Sequence, residues 1–147
     1  MDLGLTGRRA LVTGASGGIG FACALALAAE GCDVALAGRD VQRLKAAVKA
    51  IRAEHRVGVT SHATDLASPV RQAALIDVVG EIDILVNNAG GMPPGSLAEL
   101  PEAQWRTGWE LKIFGYVNLA RLVLPRLEAR GGGVIVNVIG TTAERPS

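Results

Sequence analysis

The sequence predicts an α/β fold, a doubly wound parallel sheet with helices on both faces. Short apolar runs alternate with helical stretches along the whole chain. All but the third run are apolar at nearly every position instead of every second one, as strands buried on both faces must be. Strands separated by helices need right-handed crossovers, and these build a parallel sheet.

Taken in order, Ala10-Leu11-Val12-Thr13 reads as a buried strand that stops at Gly14. Ile19 to Glu30 is rich in Ala and Leu and closes at Gly31, which reads as a helix with a glycine C-cap. Asp33 to Ala37 is a second strand, ending at Gly38. Asp40 can cap a helix over Val41 to Glu54, whose apolar positions are Leu44, Ala47, Val48 and Ile51. Val57 to His62 is a third strand. Ser68-Pro69 opens a helix by cap and first-turn proline, running to about Val79. Ile82 to Val86 is a fourth strand, followed by a loop rich in Gly and Pro. A long helical stretch then runs from Pro101 to Arg130, with a break expected near Gly108. Gly131-Gly132-Gly133 ends it, and Val134 to Ile139 is a fifth strand.

Composition narrows the function classes. The chain has 147 residues, enough for one domain with a sizeable core. Lys+Arg 15 against Asp+Glu 14 gives no electrostatic case for nucleic acid or an anionic membrane. The apolar runs are too short to span a bilayer. Cys23 and Cys32 lack metal-like spacing and read as small core residues in a reducing compartment, so the cytoplasm is expected. His55 and His62 are isolated, and no metal site is expected.

The sharpest motif is Thr13-Gly14-Ala15-Ser16-Gly17-Gly18-Ile19-Gly20, between the first strand and the first helix. A tight turn wants free φ at Gly14. A bare backbone at Gly18 lets N–H groups approach a pyrophosphate, and Gly20 lets the helix pack closely on the strand. The helix N-terminus adds partial positive charge.

This Thr-Gly-x-x-x-Gly-Ile-Gly pattern, with Asn87-Asn88-Ala89-Gly90 after the fourth strand, resembles the short-chain dehydrogenase/reductase family. Asp65-Leu66 and Asp83 fit the same pattern, and the likeness runs from about Leu5 to Pro146. It implies a Rossmann-type sheet, of which five strands of the customary seven are present, within one dinucleotide-binding domain over residues 1–147. It also implies that Gly14, Ser16, Gly18, Ile19 and Gly20 hold a nicotinamide dinucleotide. Asp65 would bond the adenine amino group with Leu66 beside the ring; Asp65 reads equally as a turn residue before Ser68-Pro69. Asn87 and Ala89 would line the adenosine side, and Gly90 the nicotinamide ribose.

Cofactor choice is read at the end of the second strand. A carboxylate there bonds the ribose hydroxyls of NAD. This chain has Gly38-Arg39-Asp40 instead, and a guanidinium suits a 2′-phosphate, so NADP is favoured over NAD. Two features pull the other way. Gly17 stands where many NADP-using relatives carry a second basic residue, and Asp40 is placed either to neutralise Arg39 or to cap the helix.

The family's acid/base chemistry uses a tyrosine, a lysine four residues later, a serine and an asparagine. Tyr116 is the only tyrosine and Ala120 follows at that spacing, so the Tyr-x-x-x-Lys pair is expected beyond Ser147 and this segment alone is expected to be inactive. Gly140 aligns with the serine, leaving the neighbouring Thr141 as the candidate hydroxyl. Lys112 aligns with the asparagine and sits four residues from Tyr116 on one helix, either as a functional pair or as a plain helix contact.

Two functions are therefore expected in competition. One is an oxidoreductase moving hydride between nicotinamide and a small-molecule carbonyl or secondary alcohol. The other is a dinucleotide-binding, non-catalytic member acting as a sensor or assembly partner. Trp105 and Trp109 share a helix face suited to packing. The helix from Trp109 to Arg130 is apolar on more than one side, which predicts a homodimer or homotetramer. Val134 to Val138 is expected to be an apolar edge strand, poorly soluble unless covered.

Overall fold

The computed structural model describes residues 3–91, 93–96 and 98–140. The apolar runs become strands β1 (Arg9–Thr13), β2 (Asp33–Gly38), β3 (Val59–Ala63), β4 (Ile84–Asn87) and β5 (Val134–Asn137). Between them lie helices α1 (Gly18–Ala29), α2 (Val41–Glu54), α3 (Pro69–Val79), α4 (Glu102–Trp109) and α5 (Gly115–Ala129). All strand pairs are parallel, in the order β3-β2-β1-β4-β5. The order reverses between β1 and β4. A crevice opens at such a reversal, beyond the carboxyl ends of the strands.

Strand side chains divide between two cores. Ala10, Val12, Val34, Leu36, Ile84 and Val86 meet α1 and α2 through Ala24, Ala28, Leu44, Ala47 and Ile51. Leu11, Ala35, Ala37 and Leu85 meet α3 and α5 through Leu75, Ile76, Val79, Leu119, Val123 and Leu127. Burying a Leu or Ile side chain such as Leu44 or Ile51 contributes about 1.5–3 kcal/mol. This two-sided burial is why β1, β2 and β4 carry no polar alternation, whereas β3 and β5, at the edges of the described sheet, are largely exposed.

Helix starts follow the expected chemistry in two cases. The Asp40 carboxylate accepts the Arg43 N–H at 3.0 Å and caps α2. Ser68 accepts the Arg71 N–H at 3.4 Å, with Pro69 in the first turn of α3. Helix α1 differs, because it begins after Gly17 with no side-chain cap.

The break in the long helix lies just past Gly108. Residues Glu110–Phe114 form a π-helical turn, closed by Gly115 N–H donating to the Glu110 carbonyl. The wider turn shifts the helical phase before α5 begins. Leu119, Val123 and Leu127 then face the sheet, while Ile113, Phe114, Val117 and Leu124 stay exposed. Trp105 and Trp109 line a shallow groove with Leu100, Glu102 and Arg106. No described helix is long and apolar enough to cross a membrane.

At the amino ends of the strands the polar groups are closed off. Asp83 is buried and accepts from Arg9 N–H at 2.9 Å, from Arg8 at 3.2 Å and from Arg130 at 3.3 Å. Burial pushes its carboxyl up, but the Arg9 N–H and the Arg130 and Arg8 guanidiniums outweigh that and hold it below the ordinary carboxylate range.

β5 is shorter than the run Val134 to Ile139 predicts. Val138 N–H still donates to the Asn87 carbonyl at 2.8 Å. The Val138 carbonyl, however, is taken by Lys112 and Tyr116, and the ladder ends there. Val134 and Val136 are exposed at this edge of the described sheet.

Candidate dinucleotide cleft

A cleft of about 850 Å³ opens above the carboxyl ends of β1 to β4. Gly14 and Ser16 enter it from the β1 turn, Gly38 and Arg39 from β2, Asp65 and Leu66 from β3, and Ala89 and Gly90 from β4. The near wall is made by Thr107, Gly108 and Leu111, where α4 meets the π-helical turn. Of the residues singled out by sequence, Gly14, Ser16, Arg39, Asp65, Leu66, Ala89 and Gly90 thus come together on one lining.

The glycine loop has the geometry its spacing requires. Gly14 has φ 64, and a Cβ there would lie 2.8 Å from Asn88 Nδ2. Gly18 has φ 56 with open space where a Cβ would stand, so its backbone faces outward unobstructed. A Cβ at Gly20 would collide with the Gly14 carbonyl and the Asn88 side chain. Gly20 is therefore a packing residue behind the loop. Ile19 is 63% exposed at the open start of α1.

The loop after β4 is fixed by a clamp that spacing alone did not single out. Thr13 Oγ1 donates to the Val86 carbonyl at 3.1 Å and accepts Asn88 N–H at 2.9 Å and Ala89 N–H at 3.0 Å. Asn88 Nδ2 returns two bonds, to the carbonyls of Thr13 at 3.0 Å and Gly14 at 3.3 Å. The two motifs are thus one bonded unit, and the signal was present as the Thr that opens the glycine motif. Asn87 is fully buried behind the cleft and donates to Asn137 Oδ1 at 2.9 Å and the Tyr116 carbonyl at 3.5 Å.

Asp65 is exposed on the rim, where its Oδ1 accepts Ala67 N–H at 3.1 Å in a local turn. It is both a turn residue and part of the lining. Arg39 is exposed and forms no ion pair among the described residues. Asp40 serves as the α2 cap. Arg43, one turn into α2, also lines the cleft, and sequence reasoning missed it.

At the other end, Lys112 lies in the π-helical turn. Its Nζ donates to Tyr116 Oη at 2.9 Å and to the Val138 carbonyl at 2.6 Å, and sits 4.8 Å from the Tyr116 ring centroid. Tyr116 Oη donates to the same carbonyl at 3.1 Å. A Cβ at Gly90 would lie 2.6 Å from Lys112 Cδ, so the lysine stem lies across Gly90. Thr141 lies outside the described residues.

Residues 8–147 match the family model described as short chain dehydrogenase. The chain is 35% identical over 149 residues to 7α-hydroxysteroid dehydrogenase of Escherichia coli (strain K12), covering 97% of this chain and 57% of that protein. It is 34% identical over 151 residues to 2,3-dihydro-2,3-dihydroxybenzoate dehydrogenase of Bacillus subtilis (strain 168), covering 97% and 56%. Among solved structures, L-sorbose reductase from Gluconobacter frateurii, complexed with NADPH and L-sorbose, superimposes with a TM-score of 0.94 at 38% identity, covering 100% of this chain and 57% of that one. A 7α-hydroxysteroid dehydrogenase complexed with NADH and 7-oxo glycochenodeoxycholic acid gives 0.88 at 33% identity, with 97% and 57% covered. The chain therefore spans little more than half the length of these relatives. With the matched model extending over nearly all of its residues, and its clamped glycine loop set at the reversal of the sheet, the chain belongs to the short chain dehydrogenase family.

Proposed function

We propose that the protein is an NAD(P)-dependent oxidoreductase that moves hydride between nicotinamide and a carbonyl or secondary alcohol, with NADP as its preferred cofactor. The observation that carries the cofactor choice is Arg39, exposed on the cleft beside Gly38 and free of any ion pair among the described residues. A guanidinium left unpaired at the end of β2 matches a 2′-phosphate in charge and in geometry.

The bare backbone at Gly14 and Gly18 and the uncapped start of α1 fit a pyrophosphate, with Ser16 and Ile19 beside it and Gly20 setting the distance from helix to strand. Asp65 and Leu66 are read as the adenine wall, Ala89 as lining the adenosine side and Gly90 the nicotinamide ribose, with Asn87 buried behind them. A bound nicotinamide would supply or accept the hydride. For substrate chemistry the candidates are Lys112 and Thr141. An ammonium at Lys112 offers donors only, where the family asparagine donates and accepts, so it can hold an oxygen but cannot relay a proton in the same way. The exposed face of Ile113, Phe114, Val117 and Leu124 supports a homodimer or homotetramer. A cytoplasmic location fits the chemistry.

A second reading rests on Lys112 as well. Its ammonium is held by Tyr116 and Val138 and so is engaged in the fold. On this reading the protein binds dinucleotide without turnover.

Titration of the purified protein with NADPH and NADH, followed by nicotinamide fluorescence, tests the cofactor reading. NADPH is expected to bind on the order of tenfold tighter or more, and Arg39→Ala to remove most of that margin. Equal affinities in the wild type would overturn the NADP preference. NADPH consumption with a panel of ketones, by a polypeptide that includes the Tyr-x-x-x-Lys pair expected beyond Ser147, then separates oxidoreductase from sensor.

A further inference from the structure

We propose that Arg43 is the second cation of a two-arginine seat for the cofactor 2′-phosphate, and that Gly17 is glycine in order to make room for it. The inference rests on the cleft being a dinucleotide site, and it names a selectivity residue that the motifs do not contain.

The observation is steric. A Cβ at Gly17 would collide with the Arg43 guanidinium, which lies directly against the loop backbone. The Gly17 backbone does not itself demand glycine, because its φ of 169 is extended and open to any residue. What a Cβ at Gly17 would meet is the tip of the Arg43 side chain, which it would push aside.

The electrostatics agree. Arg39 and Arg43 line the same cleft, and neither forms an ion pair among the described residues. Two carboxylates share this lining: Asp40 accepts the backbone N–H of Arg43 as the α2 cap, and Asp65 accepts Ala67 N–H in its own turn. Neither forms an ion pair with Arg39 or Arg43, so both guanidiniums keep their donors for an anionic ligand. A phosphate monoester carries close to two charges at neutral pH and offers three acceptor oxygens, enough to engage both. Asp40 thereby has a second effect: by capping α2 it fixes the turn from which Arg43 reaches back.

The test is a fluorescence titration of the wild type, Arg39→Ala, Arg43→Ala, Arg43→Lys and Gly17→Ala with NADPH and with NADH. Adenosine 2′,5′-bisphosphate and AMP serve as competitors. Arg43→Ala is expected to weaken NADPH roughly tenfold or more and to change NADH by less than about twofold. Displacement by adenosine 2′,5′-bisphosphate should weaken in parallel, and displacement by AMP should not. Arg43→Lys should recover part of the loss, since it keeps the charge without the fork. Gly17→Ala should reproduce part of it by pushing the guanidinium aside. Thermal melting checks that each variant is folded, and Arg43→Gln replaces Arg43→Ala if that variant is not. Unchanged NADPH binding in Arg43→Ala, with a loss in Arg39→Ala, would overturn this inference and leave the NADP reading standing. Equal weakening of both nucleotides would overturn it too, since Arg43 would then act on a part they share. A wild type without preference would sink both.

Discussion

The two ends of the cleft are built alike and finished differently. At each end a glycine leaves space for a long cationic side chain arriving from a helix: Gly17 for Arg43, and Gly90 for Lys112. Arg43 points its guanidinium at the glycine loop and pairs with no carboxylate among the described residues. Lys112 is tied to Tyr116 Oη and to the Val138 carbonyl, and so pins the end of β5 to the helix. The difference separates a charge without a carboxylate partner among the described residues from a charge used inside the fold. Sequence position does not distinguish them, since both are cations on helical segments. Their partners do.

Three substitutions sharpen or break that contrast. The largest effect is expected from Gly20→Val, which strikes the support shared by both ends. Its side chain would meet the Gly14 carbonyl and Asn88, atoms held by the clamp. A loss of about 3 kcal/mol is expected, since backbone cannot yield as a side-chain tip can. Urea unfolding measures it, and a near-neutral result would mean that α1 is free to shift on the sheet.

Thr13→Val keeps the shape and removes the hydroxyl. Asn88 and Ala89 N–H would each lose their acceptor at a buried site. About 2 kcal/mol of stability is expected to go. Both nucleotides should also bind more weakly, by a similar factor, because the loop carrying Ala89 and Gly90 is released. Selective loss of one nucleotide in a titration would contradict the clamp's place between the two ends.

Lys112→Met is expected to have the smallest effect, about 1 kcal/mol, from the lost bonds to Tyr116 and Val138. Its diagnostic value is the ratio of NADPH to NADH affinity, which should not move. A changed ratio would mean that the ends of the cleft are coupled.

Much of this was legible before any coordinates. Ser68-Pro69 marked a helix start because a short polar side chain before a first-turn proline suits a cap, while Asp40 offered two uses, of which the structure shows the cap. Strands β1, β2 and β4 were legible because burial on both faces leaves runs with no alternation. Arg43 was not, because its importance depends on the absence of a side chain at Gly17, on a different element, and no spacing rule links the two. The π-helical turn was half legible. Gly108 marked a weak point, but the phase change falls at Glu110–Phe114, where packing of α5 on the sheet competes with helical regularity. Lys112 was placed correctly on the helix beside Tyr116, yet its hold on Val138 needed the sheet to bring β5 alongside.

The strand order β3-β2-β1-β4-β5 has a consequence for the chain as it leaves the ribosome. β1 is made first and pairs with β2 soon afterwards, but its other edge waits for β4, more than two helices later in the sequence. Translation takes a matter of seconds to cover that stretch. During that interval the future floor of the cleft is an open strand edge, with the Thr13 hydroxyl lacking the Val86, Asn88 and Ala89 groups it will join. The floor of the cleft in the finished protein is therefore also an edge left open to mispairing in the nascent chain.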